Sequence, residues 1–221
     1  RRYMGLTKIE EIRALFALEH VSAAFRQKFG RDYNEEDVQG RYAAFQQILF
    51  DTLGRYATPI PGVVEAVDRL RAQGIKIGST TGYTGQMMEL VIPAAQAQGY
   101  RVDCCVTSDG LPGGRPAPYM IYQNMIRLAV PSADCVVKVG DTLADIGEGV
   151  HAKVWTVGVV LGSNELALTR AEVEAMPAAE LDKRKADVRR RMLEAGAHYV
   201  IDSMDELDTV IAEINRQMNE K

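Results

Sequence analysis

The segment CVVKVGDTLAD, from Cys135 to Asp145, contains the pattern that decides the fold. Its apolar first half, Cys135 to Val139, predicts a short buried strand, and the polar turn after it predicts the start of a helix. A strand that runs directly into a helix is the repeating unit of α/β proteins with a parallel sheet. The segment therefore predicts a parallel sheet with Asp141 and Asp145 at its carboxyl edge, on one face of a helix.

The same alternation of strand and helix continues on both sides of this segment. Further strand-like runs are Ile75–Thr80, Cys104–Thr107, Val154–Val160 and His198–Ile201. Strands separated by helical segments predict a Rossmann-like α/β core, covered by helices on both faces. From Thr7 to about Gly54 the spacing is helical only, and the turn-rich stretch after Ala57 separates the two parts. We expect a helical domain over residues 1–57 and an α/β domain over 58–221.

The composition excludes several classes of protein. The chain has 221 residues, 47% of them hydrophobic and 25% charged, which is typical of a globular protein. A net charge of −4 provides no broad basic surface, so we expect no nucleic-acid partner. No apolar run is long enough to span a membrane and no signal-like segment is present, so we expect a cytoplasmic protein without a membrane partner. The odd set of three cysteines argues against disulfides and favours buried thiols.

Two predicted strands end in turns that could bind an anion. Thr81, Gly82 and Tyr83 follow the first strand, where hydroxyls stand beside a glycine that lets backbone amides approach a phosphate. The alternative is a plain strand-to-helix turn with Thr84 as the helix cap. Arg115 lies in the polar loop after the second strand, where it is either an anion-binding fork or an ordinary surface residue.

The third turn carries Asp141 and Asp145. Two carboxylates near water suit Mg²⁺, which prefers hard oxygen ligands. Acidic residues also favour the first turn of a helix, so capping is the alternative, and it explains one of the two more easily than both.

The order of these three turns resembles that of the haloacid dehalogenase superfamily, and within it the phosphonoacetaldehyde hydrolases (phosphonatases). The resemblance covers essentially the whole chain and includes a small all-helical cap domain beside the Rossmann-like core. The segments that carry it are MGLTK (4–8), IKIGSTTGYT (75–84), GRPAPYM (114–120), KVGDTLAD (138–145) and WTVGVVLGSNELAL (155–168).

This resemblance implies a role for each matching residue. Lys8 would form an imine with the aldehyde of a small phosphonate substrate, and the capping-box spacing of Thr7 and Glu10 would place it at the start of a helix. Glu11 stands where the family commonly has a histidine that assists proton transfer, and the carboxylate would favour the charged form of Lys8. The remaining assignments are substrate or phosphate binding by Met4, Thr81, Gly82, Tyr83 and Arg115, and Mg²⁺ binding by Asp141 with the help of Asp145.

The chain departs from the family in two further ways. The family's phosphoryl acceptor is an aspartate in a DxAGT motif on the first strand, and no such motif occurs in the 221 residues. We therefore expect a core that lacks this strand and a chain that cannot turn over substrate alone. Lys153 replaces a glycine before the next strand, which strains the backbone if its φ is positive. Alternatives are another phosphatase or phosphomutase of the superfamily, or an inactive phosphate-binding fragment. The family implies a homodimer formed through the cap.

Overall fold

The computed structural model describes residues 6–220, without the side chains of residues 55 and 56. Strands and helices alternate after residue 62, as the sequence predicts. The helices are α1 Lys8–Phe16, α2 Glu19–Phe29, α3 Glu35–Thr52, α4 Val63–Ala72, α5 Gly85–Gln96, α6 Tyr119–Arg127, α7 Leu143–Ala152, α8 Arg170–Ala175, α9 Ala178–Glu194 and α10 Leu207–Asn219. The strands are β1 Gly78–Thr81, β2 Cys104–Thr107, β3 Val137–Gly140, β4 Trp155–Val159 and β5 Tyr199–Ile201. Short 3₁₀ turns cover Leu53–Tyr56, Ala133–Cys135 and Met204–Glu206.

Strand β1 begins three residues later than the apolar pattern predicts. Gly78 is the first residue of β1, and it pairs with Cys104, the first residue of β2. At Ile77 the backbone amide donates to the Asp103 side chain at 2.7 Å, while the Ile77 carbonyl oxygen accepts from the backbone amide of Asp103 at 2.7 Å. The apolar run therefore begins at Ile75, before the first residue of the paired strand β1.

The first three helices form a small domain with its own core. Ile12 and Phe16 of α1 and Val38 of α3 are buried together. The Phe16 ring lies 5.8 Å from the Phe25 ring and 5.1 Å from the Tyr33 ring, within the range of favourable aromatic packing. Helix α1 begins at Lys8, as predicted, because Thr7 and Glu10 form the capping box.

The described strands form two separate parallel sheets. Strands β1 and β2 make one sheet, and β3, β4 and β5 make the other in the order β3-β4-β5. A cavity of about 1280 Å³ is lined by residues of both β1 and β3. It is also lined by Arg115, Asp141 and Asp145, so the cavity reaches the carboxyl edge of both sheets. Strands β1 and β3 form no backbone ladder with each other within residues 6–220.

The three-stranded sheet is buried on both faces, as expected for a parallel sheet. On one face, Val157 and Val159 of β4 pack against α4 and α10. On the other face, Met192 of α9 packs with Ile146 of α7, and the Met192 sulfur lies so close to Gly158 that a side chain there would collide with it. Both surfaces of the sheet are thus shielded from water by amphipathic helices.

Two expectations from composition are tested by the described residues. None of their helices is long and apolar enough to cross a membrane. All three cysteines are free, as expected, but the expectation that they are buried is wrong for Cys135, which is exposed, while Cys104 and Cys105 are half-buried. Cys135 ends a 3₁₀ turn before β3 and so stands outside the sheet.

Lys153 ends helix α7 in the left-handed conformation, with φ +61° and ψ +34°. This confirms the positive φ on which the predicted strain depends. A side chain with a Cβ is disfavoured there, because the Cβ approaches the following carbonyl oxygen.

We predict that Lys153→Gly raises the free energy of unfolding by about 1 kcal/mol, because glycine removes this steric cost. Urea unfolding followed by circular dichroism measures the change. The control is Lys183→Gly, at an exposed position inside α9, which should lower the same quantity by about 1 kcal/mol. Destabilisation by both substitutions would contradict the prediction.

Candidate active site

The turn before α1 packs against the carboxyl edge of the β1-β2 sheet. A Cβ at Gly82 would lie 2.7 Å from the carbonyl oxygen of Leu6, and a Cβ at Gly114 would lie 2.5 Å from Cγ2 of Thr7. Both positions therefore require glycine, because any side chain would push the helical domain away. This close approach brings the start of α1 to the turns that follow β1 and β2.

Lys8 lies at this junction with Glu11 and Tyr83. The Lys8 ammonium is 2.9 Å and 3.0 Å from the two carboxylate oxygens of Glu11, and both side chains are about one-fifth exposed. The same nitrogen is 5.7 Å from the centre of the Tyr83 ring. Burial, and to a smaller extent the charge of Glu11, raises the pKa of the Tyr83 phenol. The Tyr83 side chain therefore stays uncharged beside the amine.

Thr81 and Gly82 form the turn predicted as a phosphate cradle. The backbone amide of Tyr83 donates to Oγ1 of Thr81 at 3.1 Å, which holds the turn together. Thr84 accepts from the amide of Met87 at 3.4 Å and caps α5, so the helix-cap interpretation is confirmed for Thr84. This cap does not use Thr81 or Gly82.

Arg115 lies beside the same turn and is not a surface residue. Its side chain is only 12% exposed, and Nη2 lies 3.5 Å from the position of a Cβ on Gly82. Nη1 pairs with Asp145, while Nε is buried without a hydrogen-bond partner among the described residues. A buried guanidinium with an unused donor is suited to bind an anion.

Asp145 joins the arginine to the other sheet. Its Oδ1 accepts from Arg115 and, at 2.9 Å, from the Lys138 ammonium, while Oδ2 accepts from the Thr142 hydroxyl at 2.6 Å. Burial alone would raise the pKa of Asp145, but the charges of Lys138 and Arg115 and the Thr142 hydrogen bond hold it well below its usual value. Asp145 thus takes part in the capping box of α7, and both of its carboxylate oxygens accept hydrogen bonds from other residues of the chain.

Asp141 has a different environment. Its Oδ2 accepts from the backbone amide and the side-chain amide of Asn164 at 2.9 Å and 3.1 Å, and Oδ1 accepts from none of the described residues. Burial raises the pKa of Asp141, although Asn164 acts in the opposite direction. No group of three or more His, Cys, Asp or Glu residues with metal-binding geometry occurs within residues 6–220. The free oxygen of Asp141 fits a hard cation directly, whereas Asp145 fits only an outer, supporting position.

Three polar residues of the site, the fully buried Glu148 and the partly buried Lys138 and Thr80, were missed by sequence reasoning. The Lys138 ammonium lies 2.9 Å from the Thr80 hydroxyl and 2.7 Å from the fully buried Glu148 carboxylate. Thr80 also donates to Glu148 at 2.9 Å. The sequence did contain a signal for a buried ion pair: Lys138 lies inside a predicted buried strand, and a buried charge requires a partner. The identity of that partner depended on the fold.

Most of the predicted site residues therefore meet at one edge of the two sheets. Gly82 lies beside Arg115 and against the chain before α1, while Asp145 connects Arg115 to β3 through Lys138. Met4 lies outside the described residues.

Comparison with known proteins places this site in a family. A sequence profile described as "Haloacid dehalogenase-like hydrolase" matches residues 1–159. The chain is 57% identical over 219 residues to a phosphonoacetaldehyde hydrolase of Bacteroides fragilis, covering 99% of this chain and 83% of that protein. It is 55% identical over 217 residues to one of Parabacteroides distasonis, covering 98% and 82%.

Solved structures show the same fold. A phosphonoacetaldehyde hydrolase-like protein from Oleispira antarctica superposes with a TM-score of 0.93 at 38% identity, covering 97% of this chain and 78% of that one. A β-phosphoglucomutase from Clostridium difficile superposes with a TM-score of 0.62 at 15% identity, covering 98% and 80%. The second likeness concerns the fold alone.

We predict that Asp145→Asn lowers the free energy of unfolding at pH 7 by about 3 kcal/mol, because Arg115 loses its ion-pair partner and Lys138 loses one of its two. The depressed pKa of Asp145 means that its contribution is present above the ordinary aspartate pKa of about 4 and is lost as the pH falls further. Urea unfolding from pH 7 to pH 3 should show a constant difference between the parent and the variant above about pH 4, which begins to narrow below it without closing by pH 3.

The control is Asp51→Asn at an exposed position of α3, which should change the unfolding free energy by less than about 0.5 kcal/mol. An equal effect of the two substitutions at pH 7 would contradict the role of Asp145.

Proposed function

Because the chain belongs to the haloacid dehalogenase-like hydrolases, we propose that it hydrolyses the carbon–phosphorus bond of phosphonoacetaldehyde to acetaldehyde and phosphate. One observation carries this proposal: the start of α1, which bears Lys8, packs on the turns that hold Gly82 and Arg115. An amine and an anion-binding edge are thereby brought together. The names of the relatives at 55–57% identity support the same reaction.

Lys8 supplies the electron sink that the reaction requires. A carbon–phosphorus bond breaks slowly because the departing carbon must take the electron pair. The neutral amine of Lys8 attacks the aldehyde carbon and water leaves, which forms a protonated imine. When the bond breaks, its electron pair moves into this imine and gives a neutral enamine. Protonation of the enamine carbon and hydrolysis then release acetaldehyde and restore Lys8.

Glu11 and Tyr83 are the side chains that surround the Lys8 amine. The Glu11 carboxylate, in contact with the ammonium, is placed to accept its proton and to return it at the imine or enamine stage. Tyr83 shields this pair with a neutral ring.

The phosphonate group is held at the strand edge by Thr81, the Gly82 amide and Arg115. The unused Nε donor of Arg115 and its buried position support this assignment. Asp141 would hold Mg²⁺ through its free oxygen, with Asp145 in support. The bound ion would neutralise charge on the phosphoryl group during transfer.

Two further parts of the proposal come from the family resemblance. The phosphoryl acceptor is an aspartate of a DxAGT motif, which has no counterpart in the 221 residues. The protein is also proposed to form a homodimer through the cap, for which the exposed apolar side chains of Leu15 on α1 and Ile48 on α3 provide support.

We predict that borohydride traps one phosphonoacetaldehyde molecule on Lys8, because reduction converts the imine to a stable secondary amine. Intact mass and peptide mapping measure the adduct. Lys8→Arg should abolish it, because a guanidinium forms no imine at neutral pH. The matched control, Lys28→Arg on α2, should be labelled like the parent. Labelling of Lys8→Arg to the parent level would refute the imine and favour a phosphatase acting on P–O bonds.

We predict that Glu11→Gln slows imine formation on Lys8 at pH 7, because the variant lacks the carboxylate that is placed to accept the proton of the amine. The trapped fraction as a function of time measures the rate. In the complete gene product, turnover should fall by about 10² to 10⁴, the usual contribution of a proton carrier. An unchanged trapping rate with unchanged turnover would eliminate Glu11 from the mechanism.

A further inference from the structure

The motif WTVGVVLGSNELAL contains a residue that contacts the site without an assigned role. Asn164, in the turn after β4, donates twice to the same oxygen of Asp141, from its backbone amide at 2.9 Å and from Nδ2 at 3.1 Å. Two donors on one oxygen fix the orientation of the Asp141 carboxylate. The other oxygen, Oδ1, is left free of bonds from the described residues.

The turn that carries Asn164 is itself firmly held. The Ser163 hydroxyl accepts from the amide of Leu166 at 3.0 Å, which closes the turn. Glu165 is buried and pairs with Arg191 on α9, and its other oxygen accepts from the amide of Leu143 at 3.4 Å. The turn is therefore attached both to α9 and to the first residue of α7, Leu143, two residues beyond Asp141.

We propose that Asn164 is a positioning residue, which orients Asp141 so that its Oδ1 faces the metal position. This inference rests on the proposed function, because it gives Asp141 the role of the direct Mg²⁺ ligand. Asn164 itself contacts neither substrate nor ion; it acts through the carboxylate.

The chemistry of the amide suits this role better than a cation would. An amide donates a hydrogen bond without adding a positive charge, so it orients Asp141 but does not compete electrostatically with a divalent ion. The paired aspartate, Asp145, shows the contrast, because Lys138 and Arg115 neutralise it. The two aspartates, four residues apart, thus have different roles. Asp141 keeps an oxygen available to a metal cation, whereas Asp145 forms ion pairs with Arg115 and Lys138.

The exposure of Asn164 makes the proposal testable without loss of the fold. Its side chain lies at the surface, so its removal deletes one hydrogen bond and no core packing. Partners in the outer shell of a metal site typically change metal affinity by about 10-fold to 100-fold. We therefore expect Asn164→Ala to raise the dissociation constant of Mg²⁺ by about 10-fold, with an unchanged melting temperature without metal.

The experiment uses the complete gene product, with Mg²⁺ titrated by calorimetry at a fixed concentration of inorganic phosphate. Asn164→Ser retains a side-chain donor and should lose less affinity than Asn164→Ala. The matched control, Asn219→Ala at the exposed end of α10, should bind Mg²⁺ like the parent. Scanning calorimetry of each metal-free protein reports on the fold.

Three other results of this experiment would overturn the inference about Asn164. Equal Mg²⁺ affinity of the parent and Asn164→Ala would overturn the inference and leave the proposed function intact. A weaker affinity accompanied by a lower metal-free melting temperature would indicate a structural role and would also overturn it. If the parent binds no Mg²⁺, the metal assignment fails together with the inference, whereas trapping at Lys8 still tests the imine independently.

Discussion

The buried ammonium of Lys138 is the interaction on which the arrangement of the site depends. It lies on β3 and bonds to Thr80 on β1, and it also contacts Asp145 and Glu148 on α7. These contacts satisfy its three donors, which is the condition for keeping such a charge away from water. The lysine thereby connects the two sheets and holds Asp145, which in turn holds Arg115. The relative position of the turn after β1 and the turn after β3 follows from this one group.

A second constraint acts between the helical domain and the core. The chain before α1 approaches β1 and the loop after β2 so closely that only glycine fits at positions 82 and 114. These glycines are needed for their missing side chains, which allow backbone contact between the two parts. Lys8, the first residue of α1, is consequently held at the edge of the site by steric fit. The imine chemistry proposed for Lys8 depends on this placement, because an amine elsewhere on the helix would not reach an anion held at Gly82 as proposed.

Local patterns predicted much of this structure. The segment 135–145 predicted a strand, a turn and a helix, and β3 and α7 are found there. The capping-box spacing of Thr7 and Glu10 predicted the start of α1, and the replacement of a glycine by Lys153 predicted a strained helix end. All of these depend on hydrogen bonds or dihedral angles within a few residues, which neighbouring sequence specifies. The apolar pattern misplaced the start of β1, because a strand needs a partner as well as apolar side chains.

The sequence by itself determined the α/β class, the order of elements and the residues at the strand ends, since periodicity and short motifs report on local conformation. The tertiary structure alone decided which of these residues meet. It paired Lys138 with Thr80 across 58 positions and Asn164 with Asp141 across 23, and it divided two similar aspartates into one neutralised by cations and one with a free oxygen. Side chains distant in sequence become partners only when packing brings them together. Their charges then interact strongly, because the folded interior has a low dielectric constant.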